Sequence, residues 1–197
     1  MAGNWRRAGP RLWASPMRYD RRAVRRLLLR VLTPMVVVPI LLGAARPAFG
    51  NDIQVGKAAP PATLVTLDGQ RIATSDLLGH TVILTFWATW CAPCREEMPL
   101  LSHYALEHRD QGLMVLGFSL DDDETLDKVL AFAKQTSFPI GLLTASSAPG
   151  YGRMWRIPVS FVIDRSGVLR FDGWKANQPA WSETSLHQVV DPLLASP

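Results

Sequence analysis

Residues 81–94 have the sequence TVILTFWATWCAPC. The first seven are β-branched, aliphatic and aromatic, which is typical of a strand buried on both faces beside a crossover helix. The run leads into Cys91 and Cys94, the only two cysteines of the chain. Two thiols in Cys-x-x-Cys spacing at a helix start can close and reopen a disulfide, and the positive end of the helix favours the first thiolate. This stretch therefore predicts redox chemistry at the end of a buried strand.

The first fifty residues differ in charge from the rest of the chain. Ten arginines and one aspartate give residues 1–50 a formal charge of +9, whereas residues 51–197 carry 11 basic and 16 acidic residues, or −5. The excess of positive charge belongs to the leader alone. The sequence therefore does not favour a nucleic-acid-binding protein.

An apolar run at residues 27–45 follows the basic cluster, and small residues follow it up to Gly50. This is the layout of an export signal cleaved near Gly50. The uninterrupted part, residues 31–45, is short for the roughly 20 residues of a spanning helix, but the full run is compatible with a retained membrane anchor. Both alternatives export residues 51–197. We expect a basic leader at 1–50 and one exported domain after it.

The exported part shows an α/β pattern of strands and helices. Asp68-Gly69 lies between residues 62–67 and 70–73, and this turn signal predicts a β-hairpin. Strands are expected at residues 81–87, 112–120, 159–164 and 168–171, and helices at about 91–109, 126–135 and 182–194. The pattern predicts an α/β fold with a central mixed sheet flanked by helices and an added N-terminal hairpin.

Two motifs resemble the thioredoxin superfamily. FWATWCAPC at residues 86–94 follows a buried strand, and Ile157-Pro158-Val159 precedes a later one. The longer run CAPCREEMP at residues 91–99 resembles the exported TlpA/ResA-type thiol:disulfide oxidoreductases, which have a redoxin/AhpC-TSA-like domain. The resemblance covers residues 53–195. It implies a thioredoxin-like fold and a protein-disulfide oxidoreductase that uses no cofactor.

The resemblance also implies roles for individual residues near the cysteines. Cys91 is the expected nucleophile, and Cys94 is expected to resolve the mixed disulfide. Glu97 shares a helix face with Cys94 and is implied to handle its proton, since Thr85 stands where cytoplasmic thioredoxins carry an Asp. The alternative, that Glu97 is a solvated residue beside Glu96, stays open at this point.

Contacts with the client protein are implied for a second group of residues. Pro158 matches the cis proline of the superfamily, which lies beside the nucleophile and leaves the preceding backbone free to pair with a peptide. The residues expected to contact substrate are Trp90, Pro93 and Ile157. The tryptophans compatible with either packing or a substrate groove are Trp155, Trp174 and Trp181.

Metal-based functions are not favoured by these residues. No further Cys or His lies near Cys91 and Cys94, whereas a metal site needs three or four ligands. The acidic run at residues 121–124 is interpreted as a capped, solvated helix start. We therefore expect no metal site. A thioredoxin-like copper chaperone stays an alternative, but the known proteins of that kind use wider cysteine spacing and an added His.

The function that fits best is an exported reductant of disulfides in envelope proteins. In the bacterial periplasm it would be recharged by a membrane thiol donor, and cytochrome c maturation is the usual setting of such relatives. An oxidant or isomerase that uses the same cysteines stays open. A peroxidase is less favoured because Ala88 stands where peroxiredoxins carry Thr or Ser.

Overall fold

The computed structural model describes residues 53–195. The predicted leader at residues 1–50 lies outside the described residues, and so does the choice between a cleaved signal and an anchor. Within the described part of the chain, no helix combines the length and the apolarity needed to cross a membrane.

The strands of residues 53–195 form a hairpin and a mixed sheet, as predicted. The hairpin joins β1, Thr63–Val65, to antiparallel β2, Arg71–Ala73. The central sheet contains β3 (Thr81–Trp87), β4 (Leu113–Ser119), β5 (Ile140–Leu142), β6 (Val159–Ile163) and β7 (Leu169–Asp172). Its order is β5-β4-β3-β6-β7, with β3, β4 and β5 parallel and with β6 antiparallel to both β3 and β7.

The hairpin lies directly against β5. A Cβ atom added to Gly141 would be 1.9 Å from the carbonyl oxygen of Val65. Glycine is therefore needed at position 141, because any side chain would push the hairpin away from the sheet. The backbone of Thr63 also exchanges hydrogen bonds with that of Ser147, at 2.7 and 2.9 Å.

Strand β3 lies at the centre of the sheet, and all seven of its residues are buried. Ile83 and Trp87 pack in the cluster that includes both cysteines, whereas Leu84 and Phe86 pack in a second cluster. Side chains alternate between the faces of a strand. Thr85 therefore lies on the same face as Ile83 and Trp87, the face covered by the cysteine-bearing helix.

Three α-helices occur in residues 53–195: α1 (Ala92–Glu107), α2 (Leu126–Ala133) and α3 (Glu183–Leu194). Both α1 and α2 end two residues before the predicted ends at about 109 and 135. Cys91 is the N-cap of α1 rather than its first helical residue, and Ser182 caps α3 by accepting from the Ser185 amide at 3.2 Å. α1 and α3 cover the same face of the sheet, since both contribute to the cluster that contains the cysteines.

Candidate active site

The two cysteines lie at the junction between β3 and α1. After β3 ends at Trp87, three residues lead to Cys91, whose sulfur accepts a hydrogen bond from the Cys94 amide at 3.2 Å. The two sulfurs are joined in a disulfide. Cys91 is 6% exposed and Cys94 is 1% exposed. An incoming thiolate would therefore find its access on the Cys91 side.

The start of α1 suits a thiolate at Cys91. The first amide groups of a helix lack intrahelical partners, and with the helix dipole they stabilise negative charge at the N-cap. Pro93 fits the first turn because a proline there gives up an amide that would be free in any case. Once the disulfide is reduced, the Cys91 sulfur can carry negative charge more readily than Cys94, which lies one turn further inside.

Glu97 is a buried carboxyl group on the inner face of α1. It is 3% exposed, whereas its neighbour Glu96 is exposed. The alternative that Glu97 is a solvated surface residue is therefore wrong. Its Oε2 accepts a hydrogen bond from the Trp181 amide at 2.8 Å, and no basic side chain in residues 53–195 forms an ion pair with it.

Burial decides the proton affinity of Glu97. Loss of hydration raises its pKa to about 7, and the Trp181 amide and the Thr85 hydroxyl, which both favour the carboxylate, only partly offset this. The Thr85 hydroxyl lies near enough for this influence although it makes no hydrogen bond of regular geometry. A carboxyl group with this pKa can take up and release a proton near neutral pH.

Pro158 lies directly before β6, next to the end of β3 that leads to the cysteines. Phe86 of β3 pairs with Val159 of β6, so the antiparallel register sets Pro158 opposite Trp87, just before the cysteine loop. Pro158 is buried, and the Ile157–Pro158 peptide bond is cis, in agreement with the resemblance. Ile157 is partly buried and packs against both core clusters.

The tryptophans divide into core and surface residues. Trp87 is fully buried and packs against Phe132 at 4.9 Å between ring centroids, and Trp181 is 7% exposed. Trp90, directly before Cys91, is 63% exposed, and Pro93 is exposed as well. Of the residues expected to contact substrate, Trp90 and Pro93 are therefore open to a partner, and Ile157 is partly so.

Asp121 is a residue that the sequence interpretation missed. We expected residues 121–124 to be a solvated helix start, and this is wrong for Asp121, which is 2% exposed. Its carboxylate accepts hydrogen bonds from the Thr89 amide at 2.8 Å, the Thr89 hydroxyl at 2.6 Å and the Ser119 hydroxyl at 2.6 Å. Asp122 is the residue that caps the next turn, accepting from the Thr125 amide.

The hydrogen bonds of Asp121 fix the loop before Cys91. Burial alone would raise the pKa of Asp121, but the bonds from Ser119, Thr89 and Thr125 outweigh it and hold the pKa below its usual range. Arg95 donates to the Thr89 carbonyl at 2.8 Å from the other side. The place of Asp121 in the sequence could have indicated this role, because Asp121 follows β4 at the sheet edge where the parallel strand β3 also ends.

Comparisons with known proteins agree with this geometry. A family model described as the AhpC/TSA family matches residues 55–172. The chain belongs to this family. The thiol-disulfide oxidoreductase ResA of a Bacillus cereus strain is 33% identical over 149 residues, which cover 73% of this chain and 85% of the relative. The thioredoxin-like protein YneN of Bacillus subtilis (strain 168) is 36% identical over 121 residues, 60% and 70% of the two chains.

A solved structure extends this AhpC/TSA-family likeness to three dimensions. A thiol:disulfide interchange protein of the thioredoxin family from Chlorobium tepidum TLS matches with a TM-score of 0.57 and 26% identity, covering 73% of this chain and 99% of the other. The predicted thioredoxin-like fold is confirmed. The chain is a thiol-disulfide oxidoreductase of the ResA type.

In this AhpC/TSA-family enzyme the fold brings together the residues that the sequence singled out. Cys91, Cys94 and Glu97 follow one another along the first turns of α1, and Pro158 faces the loop before them. Within residues 53–195, no group of three or more His, Cys, Asp and Glu side chains is arranged to hold a metal ion. The side chains that surround the disulfide are suited to dithiol–disulfide exchange with transfer of a proton.

Proposed function

We propose that this protein is exported and reduces disulfides in other envelope proteins, with Cys91 as nucleophile and Cys94 as resolving cysteine. Glu97 handles the proton of Cys94, and Pro158 shapes the client groove. The observation that carries the mechanism is Glu97, a buried carboxyl group one turn beyond Cys94 with a pKa of about 7. A purely structural disulfide would have no need of a proton acceptor at this position.

The exchange proceeds in two balanced steps. The Cys91 thiolate attacks one sulfur of the client disulfide, which forms a mixed disulfide and releases the first client thiolate. Cys94 then loses its proton to Glu97 and attacks the Cys91 sulfur, closing the Cys91–Cys94 disulfide and releasing the second client thiolate. The client gains two electrons, and its two thiolates take up protons from Glu97 and from water.

The layout of the leader and the chemistry of reduction support the proposed compartment. The basic, apolar layout of residues 1–50 supports export, by a signal cleaved near Gly50 or by an anchor at residues 27–45. Structural disulfides persist in oxidising compartments such as the bacterial periplasm. A reductant that works there needs electrons from across the membrane, and we propose a membrane thiol donor for this step. Apocytochrome c before haem attachment is the client class that we propose.

Single-cysteine variants test this mechanism directly. Cys91→Ser is expected to abolish reduction of insulin disulfides, whereas Cys94→Ser is expected to accumulate a mixed disulfide that survives non-reducing electrophoresis, because the resolving thiol is absent. If Cys91→Ser keeps the activity, or if Cys94→Ser traps no client, the assigned roles are wrong.

An oxidant or isomerase using the same pair is the second candidate. The same two steps run in reverse when the Cys91–Cys94 disulfide is the stronger oxidant, so the reduction potential decides between the two. A peroxidase would form a sulfenic acid on Cys91, and the buried Ala88 offers that site no hydroxyl. A copper chaperone would retain metal through both thiols, which a metal analysis of the reduced protein tests.

A further inference from the structure

Two exposed tryptophans lie close in sequence to the residues of the candidate site. Six large hydrophobic residues are exposed in the described part of the chain: Val55, Leu78, Trp90, Leu106, Leu130 and Trp155. Trp90 directly precedes Cys91, and Trp155 lies three residues before Pro158. Trp155 is 68% exposed, the highest value of the six. A large exposed apolar side chain beside a reactive site is a feature of partner-binding surfaces.

Trp155 is held in place although it is exposed. Its ring stacks on Trp174, with 5.3 Å between centroids and 16° between planes. Trp174 is itself fixed, since its indole nitrogen donates to the Tyr151 carbonyl at 2.8 Å and its ring packs edge-on against Phe161. A partner that contacts Trp155 would therefore meet an ordered surface, and little conformational entropy would be lost on binding.

Arg156 adds a fixed positive charge to this surface. Its guanidinium lies 5.2 Å from the Trp155 ring centroid and donates to the carbonyls of Gly173 at 2.7 Å and Trp174 at 3.0 Å. No acidic side chain in residues 53–195 pairs with it. Nearby Lys175, by contrast, pairs with Asp172 at 3.3 Å. The surface thus combines an apolar ring with an uncompensated positive charge.

We propose that Trp155, Trp174 and Arg156 form a client subsite, the tryptophan platform, which binds a large apolar side chain next to an acidic residue. This inference rests on the proposed function and names the client segment that the same site prefers. Trp155 lies three positions before Pro158, so the two are at most about 10 Å apart along the chain. An extended client peptide covers this distance in about three residues. The preferred apolar residue is therefore expected within about four positions of the reacting client cysteine.

Matched disulfide peptides test the platform from the client side. One probe carries Glu-Trp three positions from its cystine, a second replaces Trp by Ala, and a third replaces Glu by Lys. A small hydrophilic disulfide without an aromatic group is the fourth substrate. The wild-type chain is expected to show a KM about 3- to 10-fold lower for the first probe than for the second, the size of one aromatic contact. The Lys probe is expected to bind more weakly, by a factor that shrinks as salt is added.

Protein variants assign this preference to Trp155. Trp155→Ala is expected to remove the preference for the Glu-Trp probe and leave kcat for the small disulfide unchanged, and Trp155→Phe is expected to keep most of it. Leu106→Ala is the matched control, because Leu106 is 56% exposed but lies some 15 residues, or about 22 Å, along α1 from Cys91. For the Glu-Trp probe, Trp155→Ala is expected to raise KM and leave kcat unchanged, because the contact is equally strong in the ground state and the transition state.

Three results would overturn the inference. The wild type could show no preference among the peptides, Trp155→Ala could raise KM equally for every substrate, or it could affect exchange only with a folded thiol donor such as reduced thioredoxin. The third result would assign the platform to the electron donor instead of the client. If the wild type reduces none of the four disulfides, the proposed function itself fails, and this outcome is distinct from the other three.

Discussion

Replacing Glu97 by Gln removes the buried charge while keeping the shape of the side chain. The pKa of Glu97 is raised from an ordinary 4.5 to about 7. A pKa difference of 1 between the folded and unfolded states corresponds to about 1.36 kcal/mol, so ionisation of Glu97 costs the folded protein about 3 kcal/mol. The side chain is 3% exposed, and solvent screening reduces this figure little. Ionisation of Glu97 therefore lowers the stability of the folded protein.

The pH window follows from the two pKa values. Below about pH 4.5 the carboxyl group is protonated in both the folded and the unfolded state, and no penalty arises. Between about 4.5 and 7 the unfolded chain ionises first, so the free energy of unfolding falls as pH rises, and above 7 the loss is complete. Glu97→Gln should be more favourable relative to wild type at pH 8 than at pH 5, by about 2–3 kcal/mol.

Urea denaturation of the oxidised protein at several pH values measures this difference. Glu96→Gln is the matched control, because Glu96 is exposed on the same helix and next in sequence; it should show no comparable dependence on pH. In parallel, the exchange rate of Glu97→Gln should lose the titration that the wild type shows near pH 7. A flat difference between pH 5 and 8, or equal curves for the two Gln variants, would refute the reasoning.

Two further predictions concern the scaffold around the site. Thr89→Val deletes the hydroxyl that donates to Asp121 at 2.6 Å; it should lower the free energy of unfolding by about 1–3 kcal/mol and slow alkylation of Cys91 in the reduced protein. Thr89→Ser, which keeps the hydroxyl, should retain both the stability and the alkylation rate. Equal losses in the two variants would contradict a role for the hydroxyl. Gly141→Ala adds a Cβ only 1.9 Å from the Val65 carbonyl oxygen. It should lower the free energy of unfolding by about 1–3 kcal/mol or more by forcing the hairpin off β5. An unchanged urea midpoint would be evidence against this packing.

The sequence predicted the elements whose signals are local. The run at 81–87 is long, continuous and rich in β-branched residues, and it forms a strand with the same bounds, buried on both faces. The Asp68-Gly69 turn likewise produced the expected hairpin. The ends of α1 and α2 were predicted less well, because no glycine or proline directly follows the last turn of either helix, and a 3-10 turn at Arg109–Gln111 continues the chain after α1.

The burial of some residues could not be predicted from the sequence, because it depends on long-range contacts. The surroundings of Glu97 include the Trp181 amide, 84 positions away, and Thr85 of β3 on the sheet face that α1 covers. Asp121 looked like one more solvated acid in an acidic run, but Thr89 lies 32 positions away in sequence and close in space. Spacing along one chain gives no information on such partners, so burial and hydrogen bonding became visible only in three dimensions.

The direction of electron flow is the central claim, and the equilibrium potential of the Cys91–Cys94 pair tests it most directly. Equilibrating the purified chain with glutathione buffers of known ratio, and counting free thiols, gives this potential. We expect a value well below about −200 mV, at which the reduced pair donates electrons to disulfides in an oxidising compartment. A value near about −120 mV, that of a strong disulfide oxidant, would contradict the proposed reductase.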